Sequence, residues 1–161
     1  MAYVLHLDGR EIRSGASETR RQQWLAQTLR ALERLAAWAG GFDRLAVENL
    51  EGYALDLIQP VTDQLPVSRC VDVGHLWLDG HDPLPYLQQT LARTRVIHLH
   101  GIDRRDHGSL RHIPPEQLDL VIQRLLRENY SGVVTLEVFG EADFLSSQQA
   151  LAEARKRIVR D

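Results

Sequence analysis

Short apolar runs alternate along this chain with longer stretches whose apolar residues recur at helical spacing. Five of the runs have strand length, and each carries an ionisable group near its end: Tyr3 to Asp8 with His6, Leu45 to Asn49 with Glu48, Arg69 to Val73 with Asp72 and then His75, Val96 to His100 with His98 and His100, and Val133 to Val138 with Glu137. Between them, Leu25, Leu29, Leu32 and Ala36 predict a helix over Thr19 to Ala39, capped by Ser17 and stopped by Gly40-Gly41. Tyr53 to Ile58 reads as helical, with Pro60 kinking, ending or restarting it. Leu76 to Asp82 reads as a loop, and Asp82 caps a helix over Pro83 to Ala92. Gly101 to Pro115 is a long polar loop. Leu118, Val121, Ile122 and Leu125 predict a helix over Glu116 to Asn129, and a last helix covers Phe144 to Val159 with Asp143 as its cap.

The order is therefore βαβαβαβαβα, which predicts an α/β fold with a parallel sheet and right-handed crossovers in a single domain over residues 1–161. Two architectures fit, an open doubly wound sheet or an arc of a (β/α) barrel. The ionisable groups all lie toward the C-terminal ends of their strands, where both architectures keep their chemistry. A barrel points one side chain from each of several strands at a shared axis, and so gathers these groups where a flat sheet would spread them.

Composition narrows the function classes. Of 161 residues, 43% are hydrophobic and 25% charged, as in an ordinary globular domain. A net charge of −3 argues against a general nucleic-acid binder, though it leaves room for a local basic patch. The single cysteine, Cys70, excludes an internal disulfide framework. No apolar run approaches the roughly 20 residues of a transmembrane helix, and the N-terminus enters a strand pattern without a signal peptide. A cytoplasmic protein with no membrane partner is the expectation.

An ionisable group inside an apolar strand is costly, roughly several kcal/mol, unless it is paired or bound to metal. Alternation places His98 and His100 on one face of their strand, Glu48 beside Ala46, and Asp72 beside Cys70. Carboxylates mixed with imidazoles suit Zn, Mn, Fe or Co and not an all-oxygen calcium site. No Cys-x-x-Cys, phosphate-cradling Gly loop or Gly-x-Ser-x-Gly is present. Bland readings stand beside these. A histidine in an apolar strand, such as His6, is commonly a core residue, and His98 reads as deeper and structural or supporting. His107 is open between a solvated loop residue and a ligand. His81 and His112 read as surface residues, and Arg104-Arg105 as a solvated pair or a phosphate holder. Buried Glu48 and Glu137, and the pair Asp72 and His75, favour a functional reading.

Val-Glu48-Asn, Asp72-Val-Gly-His75, Ile-His98-Leu-His100-Gly and Leu-Glu137-Val, in this order, resemble the xylose-isomerase-like, AP-endonuclease-type TIM-barrel superfamily over nearly the whole chain. The resemblance implies metal ligation by Glu48, Asp72, His100 and Glu137. Its endonuclease-like branch adds His6, His75 and His107. The stretch from His98 to Leu110 is further similar to cobamide-remodelling phosphodiesterases, which cut the nucleotide loop of cobamides. What this implies is hydrolysis of a phosphodiester by metal-activated water, with Glu48 and Glu137 at the reacting centre and Arg104 or Arg105 offsetting phosphate charge.

Two other classes stay open. One is a divalent-metal-dependent sugar or sugar-phosphate isomerase or epimerase in which Glu48 and Glu137 move a proton. The other is a non-catalytic fragment that assembles with a partner chain. A full barrel has eight βα units, and the resemblance here covers units four to eight. The expectation is a partial barrel with two open strand edges, closed by a missing N-terminal segment or by another copy in a homo-oligomer.

Overall fold

A computed structural model describes residues 1–12, 15–103 and 106–159. Five parallel strands, β1 (Tyr3–Leu5), β2 (Leu45–Glu48), β3 (Ser68–Asp72), β4 (Thr94–Leu99) and β5 (Val133–Leu136), follow one another in sequence order across the sheet. The helices are α1 (Glu18–Ala39), α2 (Gln59–Gln64), α3 (Val73–Leu78), α4 (Pro83–Thr90), α5 (Pro115–Arg127) and α6 (Glu141–Ile158). This is a TIM-barrel-like partial fold of βα units, as the strand pattern predicts. None of the described helices is long and apolar enough to cross a membrane.

The chain divides into two compact units. The first comprises Met1–Val71 and Arg93–Val96, the second Asp72–Ala92 and Ile97–Asp161. In the first unit, strict alternation in β2 sends Leu45 and Val47 into a core with Leu32, Ala36 and Ala39 of α1 and Val61 of α2. Ala46, on the other face, packs with Cys70 and Val96. The register sets Glu48 opposite Cys70. Ser17 caps α1 through its side chain, and Gly40 closes it at φ 85°, a left-handed conformation that suits glycine. Arg93 ties the α2–β3 connection together by donating to the carbonyls of Thr62, Leu65 and Val67.

In the second unit, Leu87, Ile97, Leu99, Leu118 and Val121 are buried, and α5 packs on α6. The segment read as a loop from Leu76 begins instead inside a helix, α3. Asp72 is its N-cap, accepting from the His75 amide at 2.8 Å. The Asp-x-x-His spacing is thus a cap-to-third-residue spacing, and His75 stands on a helix, not in a loop. Residues 53–58 form turns, and α2 starts only at Gln59, where Pro60 sits in the first turn and favours initiation. The last helix starts two residues before its expected cap. Glu141 and Asp143 both lie in its first turn, where their charge suits the helix dipole.

Candidate metal centre

Each strand delivers its ionisable group at or just beyond its C-terminal end. In the first unit His6 follows β1 and Glu48 ends β2, with His6 Nε2 3.0 Å from Glu48 Oε2. The Glu48 side chain is buried while that of His6 is 61% exposed, so His6 covers the carboxylate from the solvent side.

In the second unit the ends of β3, β4 and β5 converge. Asp72 is fully buried at the junction of β3 and α3. His98 Nδ1 lies 3.6 Å from Asp72 Oδ2 and 2.7 Å from Glu137 Oε2. His100 Nε2 lies 3.1 Å from Asp72 Oδ1. Asp72, His98 and Glu137 each offer a ligand atom, all within 4.8 Å of one another. A second group, His75, His100, Asp106 and His107, satisfies the same limit. Here Asp106 is central, 3.6 Å from His75, 3.2 Å from His100 and 3.0 Å from His107. The rings of His100 and His107 stack with centroids 4.4 Å apart, and Phe139 stacks on the far side of His107 at 4.8 Å.

Local sequence explains the arrangement. Gly74 faces the His100 ring, and a Cβ there would fall 2.1 Å from it. Gly101 and Gly108 exchange two backbone hydrogen bonds, of 2.8 and 2.9 Å, which bring Asp106 and His107 back beside the end of β4. His107 takes φ 57°, left-handed and uncommon for a residue with a Cβ. Its amide donates to Asp106 Oδ1 at 2.9 Å, which orients the carboxylate as it turns the chain.

The electrostatics follow from burial and charge. Desolvation alone would raise the Asp72 carboxyl, but the imidazoles of His100, His98 and His75 outweigh it and hold Asp72 well below the usual carboxylate range. Burial alone would lower His100, and the carboxylates of Asp72 and Asp106 reverse this, leaving its imidazole above the ordinary value.

These residues fit a divalent cation. Among the described residues, His100 Nε2 and Glu137 Oε2 are buried and make no hydrogen bond of acceptable geometry, although His100 Nε2 lies 3.1 Å from Asp72 Oδ1 and Glu137 Oε2 lies 2.7 Å from His98 Nδ1. Imidazole nitrogens and carboxylate oxygens turned toward one another are the donor chemistry of Zn, Mn, Fe or Co.

Of the sequence candidates, the second unit brings together Asp72, His75, His100, His107 and Glu137, and the first pairs His6 with Glu48. Arg104 and Arg105 lie outside the described residues. His98, read from sequence as deeper and structural or supporting, is buried and reaches both Asp72 and Glu137. Asp106 escapes sequence reasoning altogether. Its one signal is adjacency to His107 in a loop that returns to the end of β4.

Three solved structures of similar fold are sugar epimerases or isomerases, or resemble one, by name. The chain superposes on a D-tagatose 3-epimerase-like protein with TM-score 0.77 at 16% identity, covering 98% of this chain and 62% of that one. Against the 3-keto-D-glucoside 4-epimerase YcjR from E. coli the values are 0.61, 19%, 95% and 63%. Against a sugar phosphate isomerase/epimerase from Parabacteroides distasonis they are 0.58, 14%, 85% and 54%. The chain therefore spans less than two thirds of the length of each. No curated protein matches. Nothing among these relatives points to a cobamide phosphodiesterase. The family described as "Xylose isomerase-like TIM barrel" matches residues 2–160, and the chain belongs to that family.

Proposed function

We propose that this chain carries the cation-binding residues of a divalent-metal-dependent sugar or sugar-phosphate isomerase or epimerase. The observation that supports it most is the convergence of Asp72, His98 and Glu137 at three successive strand ends, in a fold shared with the sugar epimerases and isomerases named above. A bound divalent cation supplies electrophilic polarisation of a substrate carbonyl or hydroxyl. Asp72, charged and buried, is the fixed anionic ligand, and His98 is held between it and Glu137. The Glu137 side chain is 26% exposed, and its carboxylate is assigned the transfer of a proton from a carbon next to a carbonyl. Glu48 is assigned the complementary proton transfer, and His6, at its carboxylate, sets its orientation. Arg104 or Arg105 would meet a phosphate if the sugar carries one.

Proton exchange tests this directly. The Mn2+- or Co2+-loaded protein is incubated in D2O with D-tagatose, D-fructose or D-fructose 6-phosphate, and deuterium entering the carbon skeleton is followed by NMR. Exchange by the native chain, reduced roughly 100- to 10,000-fold in Glu137→Gln, is the expected result. No exchange with any of these sugars, in protein shown to hold metal, overturns the reading.

One observation favours a second reading. The group of His75, His100, Asp106 and His107 can hold a further cation, and two or more cations suit phosphodiester hydrolysis, the reaction that the sequence resemblance implies. Metal stoichiometry separates the two: one ion per chain fits isomerisation, two or three fit hydrolysis. Bis(p-nitrophenyl) phosphate and a cobamide are the substrates to try in the second case.

A further inference from the structure

We infer that Ser147 of α6, with the Ser109–Ser146 pair beside it, is a positioning device for the Asp106–His107 donor pair. The inference rests on the second reading above, in which His75, His100, Asp106 and His107 hold a further cation, and adds residues from a helix that contributes no ligand. The loop is closed at its neck by the Gly101 and Gly108 hydrogen bonds, and directly before Gly108 the chain holds His107 in a disfavoured left-handed conformation. Something must keep the chain leaving the loop from relaxing. Immediately after Gly108, Ser109 Oγ donates to Ser146 Oγ at 2.6 Å, and Ser146 in turn donates to the Ala142 carbonyl within α6. One residue later the Leu110 amide donates to Ser147 Oγ at 2.9 Å. Leu110 and Ser147 are both fully buried. A buried amide left without an acceptor is strongly disfavoured, so the Ser147 hydroxyl fixes where Leu110 sits, three residues past His107. Arg111 completes the attachment by an ion pair with Glu153 of α6 at 2.8 Å. Two rows of contacts thus carry the rigidity of an 18-residue helix into a loop whose ligands need sub-ångström placement.

The experiment uses the full chain and compares Ser147→Ala, Ser146→Ala and Ser147→Thr with the native protein. Three readouts are taken: His107 imidazole resonances and hydrogen exchange of the Gly101, Ile102, His107 and Gly108 amides in metal-free protein, Co2+ titration by visible absorption, and thermal unfolding. S147A is expected to shift the His107 resonances and speed exchange in the loop. It should also weaken the Co2+ step that involves the histidines, roughly 10- to 100-fold. The step involving Asp72, His98 and Glu137 should stay in place. S147T keeps the hydroxyl and should restore the native loop signals. Should S147A not fold, S146A, on the less buried pair, carries the same expectation at smaller amplitude. Native-like His107 resonances and loop exchange in a folded S147A or S146A overturn the inference, whatever metal does. A native protein that takes up no Co2+ at the histidines, while S147A still loosens the loop, sinks the cation reading and leaves the positioning role standing.

Discussion

Gly74 leaves room for a single ring. The Cβ of an alanine there would lie 2.1–2.4 Å from three atoms of the His100 imidazole, and that imidazole is fully buried between Asp72 and Asp106. Gly74→Ala should therefore displace His100, at about 1–3 kcal/mol of overpacking. Cation affinity should drop at the same time, and denaturant unfolding alongside metal titration checks both. A carboxylate outside the centre gives a separate test. The Arg111 guanidinium beside Glu153 holds that carboxyl below its ordinary value. A depressed folded value means the contribution is present above the unfolded pKa and is lost as pH falls through the folded one. Because the pair is exposed, the effect on stability should be small. Arg111→Ala should return the Glu153 titration, followed by carboxyl NMR, to the ordinary range. At this scale the sequence was partly legible. Alternation puts His98 and His100 on one face and position along the strand makes His98 the deeper, yet both reach Asp72. Asp106 sits among Gly, Arg and Asp, a composition that reads as solvated loop, and only the Gly101–Gly108 closure brings it to the histidines.

Among the elements, α3 shows how one residue can serve two roles. Asp72 ends a strand, caps a helix and stands among the imidazoles. Asp72→Asn keeps an oxygen able to cap and removes the charge, whereas Asp72→Ala removes both. Both should lower cation affinity, and the alanine variant should be less stable than the asparagine variant by about 1 kcal/mol through the lost cap. Chemical denaturation of the two metal-free proteins checks the difference. The five strands were legible because each apolar run is short and ends in an ionisable group. α3 was not, because six residues with a glycine among them carry too little periodicity, and its start signal doubles as a ligand motif. The turns at 53–58 were misread for a related reason: a few apolar residues before Pro60 fit a helix start as well as an approach to one.

For the whole molecule, the strand order leaves β1 and β5 each with one strand neighbour among the described residues. β5 also exposes Val133 and Val134, and Phe139 just past it is 78% exposed. Exposed apolar residues on an open edge favour pairing with another chain or segment. The proposal is that further βα units, on the same polypeptide or another, cover these edges. Sedimentation should show the 161-residue chain self-associating, and Val134→Lys should shift it toward monomer. A monodisperse monomer of unchanged stability would count against this. Cation binding should also stabilise the molecule, by about 2.7 kcal/mol at a hundredfold excess over Kd.

The double duty of Asp72 reaches past any single variant. Glutamate would conserve its charge, yet one added methylene carries the carboxylate beyond the His75 amide and crowds a site with no accessible surface. The side chain that terminates the third strand is thus locked by length as well as by sign, and the substitution that keeps its charge would loosen a helix start and displace the imidazoles in one stroke.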